Sequence, residues 1–297
     1  MKMNSKIIII FLISLSLLSG CKPKDTEEKQ TLSVTIEPQK YFLSSLVGDH
    51  YNVNCIVPSG SNPESADFTP SQMMALDRSV AYFKIGYLGI ENTLIDKISK
   101  SNPSLFVVDC SQGIQIIDGC DHSHDSHEHN NTVHYGHAGG DPHTWSSVKS
   151  AKIIVDNMYN ALLELDKNNE IYYQDSYNEL INKINQTDSL IKSYLSKSPS
   201  KAFIIYHPAL SYFAEEYGLT QYSIEYEGKN PSPSQLKSLI DKAKSENVKV
   251  VFIQQEYDIK NAETVAEAIN GKIVPLNLLS YHWDEEMIKI AKALAQE

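Results

Sequence analysis

From Thr144 to Ser198 the chain runs without a glycine or a proline. These two residues are the strongest punctuators of local structure, so a stretch this long without either one points to helix. Within it Tyr173, Tyr177, Leu180, Ile184, Thr187, Ile191 and Tyr194 recur at alternating spacings of four and three, which puts them on one helix face. A coiled-coil dimer would use such a stripe too, but this one is short and carries tyrosines and a threonine. The pattern therefore predicts one long helix packed across two parts of the same chain, preceded by a shorter helix at 147–165.

The segments on either side share another rhythm. Before the helices, LSVTIE (32–37), VNCIV (53–57), AYFKI (81–85) and LFVVD (105–109) have strand composition and alternate with helical patterns at 39–48, 70–78 and 90–100. After Pro199, AFIIY (202–206), YSIEY (222–226), VVFIQQ (250–255) and KIVPL (272–276) alternate with helical patterns at 209–217, 233–246, 260–269 and 284–295. Strands alternating with helices form mostly parallel, helix-covered sheets. The expected fold class is α/β: an N-terminal lobe over 31–146, a helical segment over 147–198 with a long rigid bridging helix, and a C-terminal lobe over 199–297.

The first 30 residues belong to neither lobe. Lys2 and Lys6 precede an apolar run, Ile7 to Leu18, that is short for a membrane span but suits a signal-peptide core. It closes on Leu18-Ser19-Gly20-Cys21, small residues before a cysteine as in a bacterial lipobox. Residues 1–20 thus read as a signal peptide, Cys21 as a lipid-modified N-terminus and 21–30 as a tether, giving an exported chain held at a membrane and facing the periplasm or cell surface. The formal net charge of −11, from 26 basic and 37 acidic residues, argues against nucleic acid and is compatible with attracting cations. Cys55, Cys110 and Cys120 remain after processing, and Cys110 could pair with Cys120. None sits in a CxxC, which disfavours a thiolate zinc site.

Metal chemistry is concentrated in DHSHDSHEHNNTVHYGHAGGDPHTW, residues 121–145, which hold seven of the chain's 10 histidines. Imidazole is a leading ligand for zinc-like ions. His122, His124, His127, His129, His134 and His137 lie in a polar run over 121–137 without apolar periodicity, expected to capture metal loosely. His143 differs, because Asp141-Pro142-His143-Thr144-Trp145 leads directly into the helix. In open α/β sheets ligands bind beyond the carboxyl ends of the strands, and potential donors occupy several such places. Glu64 follows the second strand, His143 ends the connection after the fourth, His207 follows AFIIY and Asn277 follows KIVPL. Glu256, in QQEYD, is a further strand-end carboxylate.

Together DPHTW at 141–145, the histidine-rich insertion before it, and YHPALSYFAEEYGL at 206–219 resemble the ZnuA/TroA-like metal-binding family, the substrate-binding lipoproteins of zinc and manganese ABC transporters. NPESADFTPSQ at 62–72 is similar to that family's first ligand loop. The resemblance implies a C-clamp of two lobes around one metal, with His143 and His207 matching family ligands directly. Glu64 stands where the family usually has histidine, and Ala66 and Phe68 also depart from the pattern. The family's fourth ligand, a carboxylate near the last strand, is unmatched, with Asn277 nearest and His282 and Asp284 following.

The implied function is a binding protein, not an enzyme, that delivers Zn²⁺ to an ABC permease and its ATPase as a monomer. The oxygen donor at Glu64 leaves Mn²⁺ or iron as an alternative cargo. A zinc-dependent exported hydrolase is the other class, but the chain has no HExxH and no second histidine spaced on a helix with His143. Adhesion at a cell surface could coexist with metal binding.

Overall fold

The computed structural model describes residues 29–57, 60–64, 68–117, 140–226 and 228–296. In the N-terminal part, strands β1 (Thr31–Val34), β2 (Asn52–Cys55), β3 (Ala81–Lys84) and β4 (Phe106–Asp109) alternate with helices α1 (Glu37–Val47), α2 (Pro70–Asp77) and α3 (Gly89–Ser101). Two helices follow, α4 (Val148–Leu165) and α5 (Glu170–Leu195). The C-terminal part alternates β5 (Ala202–Ile205), α6 (Ser211–Tyr217), β6 (Thr220–Ser223), α7 (Pro233–Ser245), β7 (Val250–Gln254), α8 (Lys260–Ile269), β8 (Lys272–Leu276) and α9 (Trp283–Leu294). The strands form two four-stranded sheets, ordered β2-β1-β3-β4 and β6-β5-β7-β8, and every pairing in both is parallel.

The two sheets therefore have the same winding. In each, the chain reverses direction across the sheet between the two central strands, and such points open a crevice at the carboxyl end. In the first sheet that crevice is filled from within. The Glu91 carboxylate of α3 accepts bonds from the Thr35 hydroxyl and from the backbone N–H groups of Ile85 (2.7 Å) and Gly86 (2.8 Å), just past β1 and β3. Burial pushes this carboxyl up to about 7 despite those donors. In the second sheet the crevice between β5 and β7 holds His207 and Gln254.

One apolar core crosses from lobe to lobe. It runs from Leu32 and Val34 of β1, through Ile184 and Ile191 of α5, to Phe203 and Phe252 of the second sheet and Trp283 of α9. The long helix is its spine: α1, α4 and α9 all pack on it. Its buried stripe is Tyr173, Leu180, Ile184, Thr187, Ile191 and Leu195. Tyr177 and Tyr194 are only partly buried, each turned toward a charged partner at the helix surface. Tyr177 donates to Asp156 at 2.7 Å, and Tyr194 lies beneath the ammonium groups of Lys197 and Lys292. The buried stripe packs against elements of the same chain.

β1 and β2 end three and two residues earlier than the sequence expectation, at Val34 and Cys55, and β6 is displaced as a whole. β6 begins at Thr220, two residues before the predicted YSIEY run, because α6 ends at Gly218 in the left-handed region (φ 62°). The chain is then caught at once by the bond from Thr220 N–H to Lys201 O, 2.7 Å. The strand consequently ends at Ser223, leaving Glu225 beyond its carboxyl end. Among the described residues no helix is long and apolar enough to cross a membrane.

Burial along α5 sets a stability contrast. Ile184 is fully buried, whereas Ile171 in the first turn is 81% exposed. Ile184→Ala is expected to lower unfolding stability by about 2–5 kcal/mol and Ile171→Ala by less than about 0.5 kcal/mol, read from urea unfolding of the metal-free chain. Equal effects would contradict the spine role.

Candidate metal centre

Among the described residues, one group of three or more His, Cys, Asp or Glu side chains converges closely enough to hold an ion: Glu64, His143 and His207. Their ligand atoms all lie within 4.8 Å of one another. Glu64 Oε1 is 3.4 Å from His143 Nε2 and 3.5 Å from His207 Nε2. Donors about 2.0–2.1 Å from a tetrahedral zinc stand roughly 3.3 Å apart, so these separations leave little to adjust. Their side chains are 9–15% exposed, and His207 Nε2 is buried with no hydrogen-bond partner of ordinary geometry.

Each histidine is held by its other nitrogen. His143 Nδ1 is 2.8 Å from Asp141 Oδ1, and the same oxygen accepts the His143 backbone N–H at 2.9 Å. Asp141 is itself fixed: its N–H donates to Ile117 O (2.8 Å) and its carbonyl accepts from the Tyr212 hydroxyl (2.7 Å). Gly140 precedes it at φ 106°, and a Cβ there would meet Ile116 Cγ2 at 2.2 Å, so only glycine fits this entry. Burial works to raise the Asp141 carboxyl, and its bonds to His143 outweigh this and hold it below the ordinary aspartate range.

His207 is clamped in parallel fashion. Its Nδ1 lies 3.2 Å from both oxygens of Glu225. Gln254, at the end of β7, accepts the His207 backbone N–H (3.3 Å) and donates to its carbonyl (2.7 Å). The Tyr257 ring stacks on the imidazole, with centroids 5.5 Å apart and planes 13° from parallel. Burial pulls this imidazole downward, and the carboxylates of Glu225 and Glu64 more than reverse that, raising it to about 10. A histidine whose second nitrogen is engaged by a carboxylate presents its free nitrogen in one orientation and tautomer. Both rings turn Nε2 toward Glu64.

A small cavity of about 40 Å³ opens on the two histidines, walled by Trp145, Tyr257, Leu278 and Leu279. Asn277 directly precedes that wall. Its backbone N–H donates to Glu286 (3.2 Å), and its Oδ1 is buried without a partner. Glu256 also lines the cavity. The other C-terminal possibilities are committed elsewhere: Asp284 pairs with Lys183 of α5 at 3.0 Å, and His282 is exposed beside Glu285. His122, His124, His127, His129, His134, His137, Cys21 and Cys120 lie outside the described residues, while Cys110 is a buried thiol.

Sequence reasoning missed Glu225, Gln254 and Tyr257. The rule that found His207 would have found Glu225 had β6 been ended at Ser223. The Gln254 clamp depends on the β5–β7 pairing and has no local signal.

Comparison with known proteins bears on this site. The family model described as ZnuA, zinc-uptake complex component A, periplasmic, matches residues 33–296. The high-affinity zinc uptake system protein ZnuA of Bacillus subtilis is 30% identical over 265 residues, 88% of this chain and 82% of that protein. The zinc-binding protein AdcA of Streptococcus pyogenes is 25% identical over 282 residues, 91% of this chain but only 54% of AdcA, so the chain spans about half of that relative. A crystal structure of ZnuA superposes with a TM-score of 0.80 at 29% identity, covering 91% of this chain and 99% of the other.

The two carboxylates around His207 set a pH dependence. Its folded value lies above the ordinary 6.5, so the stability it contributes is fully present below pH 6.5 and is lost as pH rises through about 10. In the metal-free protein, NMR titration should find the His207 imidazole protonated at neutral pH. Glu225→Gln should bring its midpoint down, since burial is then opposed by Glu64 alone. An unchanged midpoint would separate Glu225 from this site.

Proposed function

The chain belongs to the ZnuA family of periplasmic zinc-uptake components, and from that premise we propose that it binds Zn²⁺ between its lobes and passes it to an ABC importer. The observation that carries this reading is the convergence of Glu64 Oε1 with two imidazole Nε2 atoms at 3.4 and 3.5 Å, the spacing of a tetrahedral site. Two imidazoles and one carboxylate are a donor set that zinc accepts readily. Hard, all-oxygen sites suit manganese better, so the two imidazoles favour zinc. The buried Asn277 Oδ1, one residue before the cavity wall, is our choice for an additional neutral donor.

Binding without a chemical step follows from the same residues. With the second nitrogen of each ring held by Asp141 or Glu225, the Nε2 atoms need no reorganisation to meet an ion. Arrival of Zn²⁺ displaces the His207 proton that Glu64 and Glu225 stabilise, so capture is coupled to proton release and weakens at low pH. The carboxylate of Glu64 offsets one unit of the ion's charge, which a third histidine would not do.

The reading extends to the rest of the chain. Residues 1–20 direct export, Cys21 carries lipid, and 21–30 tether the protein to a membrane. The boundaries 31–146, 147–198 and 199–297 then correspond to a lobe, the helical segment with its bridging helix and a second lobe. The six histidines at 122–137 serve as a weaker collecting segment; on either side of it in the chain, Ile117 and Asp141 are bonded to each other and to Tyr212.

A single set of zinc titrations tests the assignment. Deleting residues 121–137 should leave one tight site and remove only weaker binding. His207→Ala should weaken the tight site by at least about tenfold, the equivalent of roughly 1.4 kcal/mol. Glu64→Gln should weaken it clearly, because it removes the negative charge that offsets the ion's, and Glu64→His should restore it and shift preference from Mn²⁺ to Zn²⁺. Loss of the tight site in the deletion, or parental affinity in His207→Ala, would overturn the proposal.

A further inference from the structure

The most exposed large apolar side chain among the described residues is Ile171, at 81%. It does not stand alone. Tyr172 beside it is 39% exposed, and its ring lies 4.5 Å from that of the exposed His50, centroid to centroid. Tyr172 is held in place: its hydroxyl sits over Gly48, where a Cβ would come within 1.9 Å, and its ring meets Tyr173 edge to face. Isolated exposed apolar residues need no explanation. A tyrosine held against an exposed histidine, and preceded in the first turn of α5 by this exposed isoleucine, is a different case.

Its location gives it an occupant. Residues 29 and 30, the first of the described chain, lie against the same corner. Lys29 pairs with Asp49 at 3.2 Å and its carbonyl accepts from Asn52, while Gln30 O accepts the Asn52 N–H at 2.9 Å. From Cys21 to Lys29 the chain can span at most about 28 Å. A lipid on Cys21 therefore keeps this corner, and not the opposite end, close to the bilayer. Tyrosine and isoleucine suit the boundary between headgroups and acyl chains, where an amphipathic ring keeps its hydroxyl wet.

We propose that the His50–Ile171–Tyr172 face rests on the lipid surface to which Cys21 is anchored. The inference rests on the lipid anchor assigned above. Anchoring supplies a high effective concentration of bilayer, so a face too small to bind membrane unaided still decides which way the tethered protein points. The orientation has a consequence for the metal centre. β1 and β2 begin at this corner, at Thr31 and Asn52, whereas Glu64, His143 and His207 lie beyond the carboxyl ends of the strands. Resting on this face, the protein turns its metal cleft away from the membrane, toward the compartment from which ions arrive. Delivery then requires the chain to lift off and turn.

Amide exchange tests this on the mature, lipidated full chain attached to phosphatidylethanolamine–phosphatidylglycerol vesicles, compared with a soluble chain beginning at residue 22. Attachment should slow exchange in residues 48–52 and 168–174 by at least about threefold. Ile171→Ser with Tyr172→Ser should return these segments to the solution rate while the chain still floats with the vesicles, and Ile171→Trp should deepen the protection. Equal rates on and off the membrane would overturn the proposal, as would protection that survives the double substitution. Protection that grows with protein concentration in the absence of vesicles would overturn it in favour of a second copy as the occupant. A native chain that does not float would instead refute the lipid anchor; the same comparison is then made with residue 22 joined to a synthetic lipopeptide.

Discussion

Two indole N–H groups hold the cleft to its width. Trp145, two residues after His143, donates across the lobes to Leu278 O at 2.9 Å, and Trp283 donates back to Trp145 O at 2.7 Å. Both rings are essentially buried, and Trp283 packs edge to face on Phe42 of the first lobe. A buried indole N–H without an acceptor would cost about 1–3 kcal/mol, so the two bonds are mutually enforced. They place the His143 segment of one lobe at a fixed height above the last strand of the other. Glu216 of α6 reinforces this by accepting from Ser147 and from the Lys149 N–H at the start of α4. With a continuous apolar core behind them, the lobes behave as one body, and small side-chain or loop movements are the natural route for an ion to enter and leave.

This frame explains the division of labour at the site. The crevice of the first sheet is occupied by its own Glu91, so that lobe contributes donors from the connections after its edge strands, Glu64 after β2 and His143 after β4. The second sheet keeps its crevice open, and His207 stands in it under the control of Gln254 and Glu225. Two histidines, each turned by a carboxylate on the far nitrogen, meet one carboxylate between them. Burial alone would favour a neutral His207, and the carboxylates of Glu225 and Glu64 outweigh it, raising the imidazole to about 10 in the metal-free chain.

Much of this was legible in the sequence, for reasons tied to particular residues. The Gly- and Pro-free stretch and its four-three stripe identified α5, because a helix spine must present one apolar face along its whole length. The βα alternation identified both sheets, since parallel strands require crossovers. His207 stands directly past β5 and His143 in DPHTW before the helical stretch, and the resemblance to the metal-binding family, more than strand order, singled them out. Glu225 was hidden by a two-residue misplacement of β6, whose start depends on the left-handed cap at Gly218 and on pairing with Lys201. Gln254 and Tyr257 were hidden because their roles exist only once β5 and β7 are neighbours. The place of Asn277 rests on burial, which a strand-end rule cannot supply.

In the proposed centre one zinc ion is held by His143, His207 and Glu64. X-ray absorption at the zinc edge, on the chain loaded with a single equivalent, reads that first shell directly. Two imidazole nitrogens with oxygen donors at about 2.0–2.1 Å, and loss of one imidazole in His143→Ala, are the predicted result. A sulfur donor near 2.3 Å, or an imidazole count unaffected by replacing His143, would contradict it.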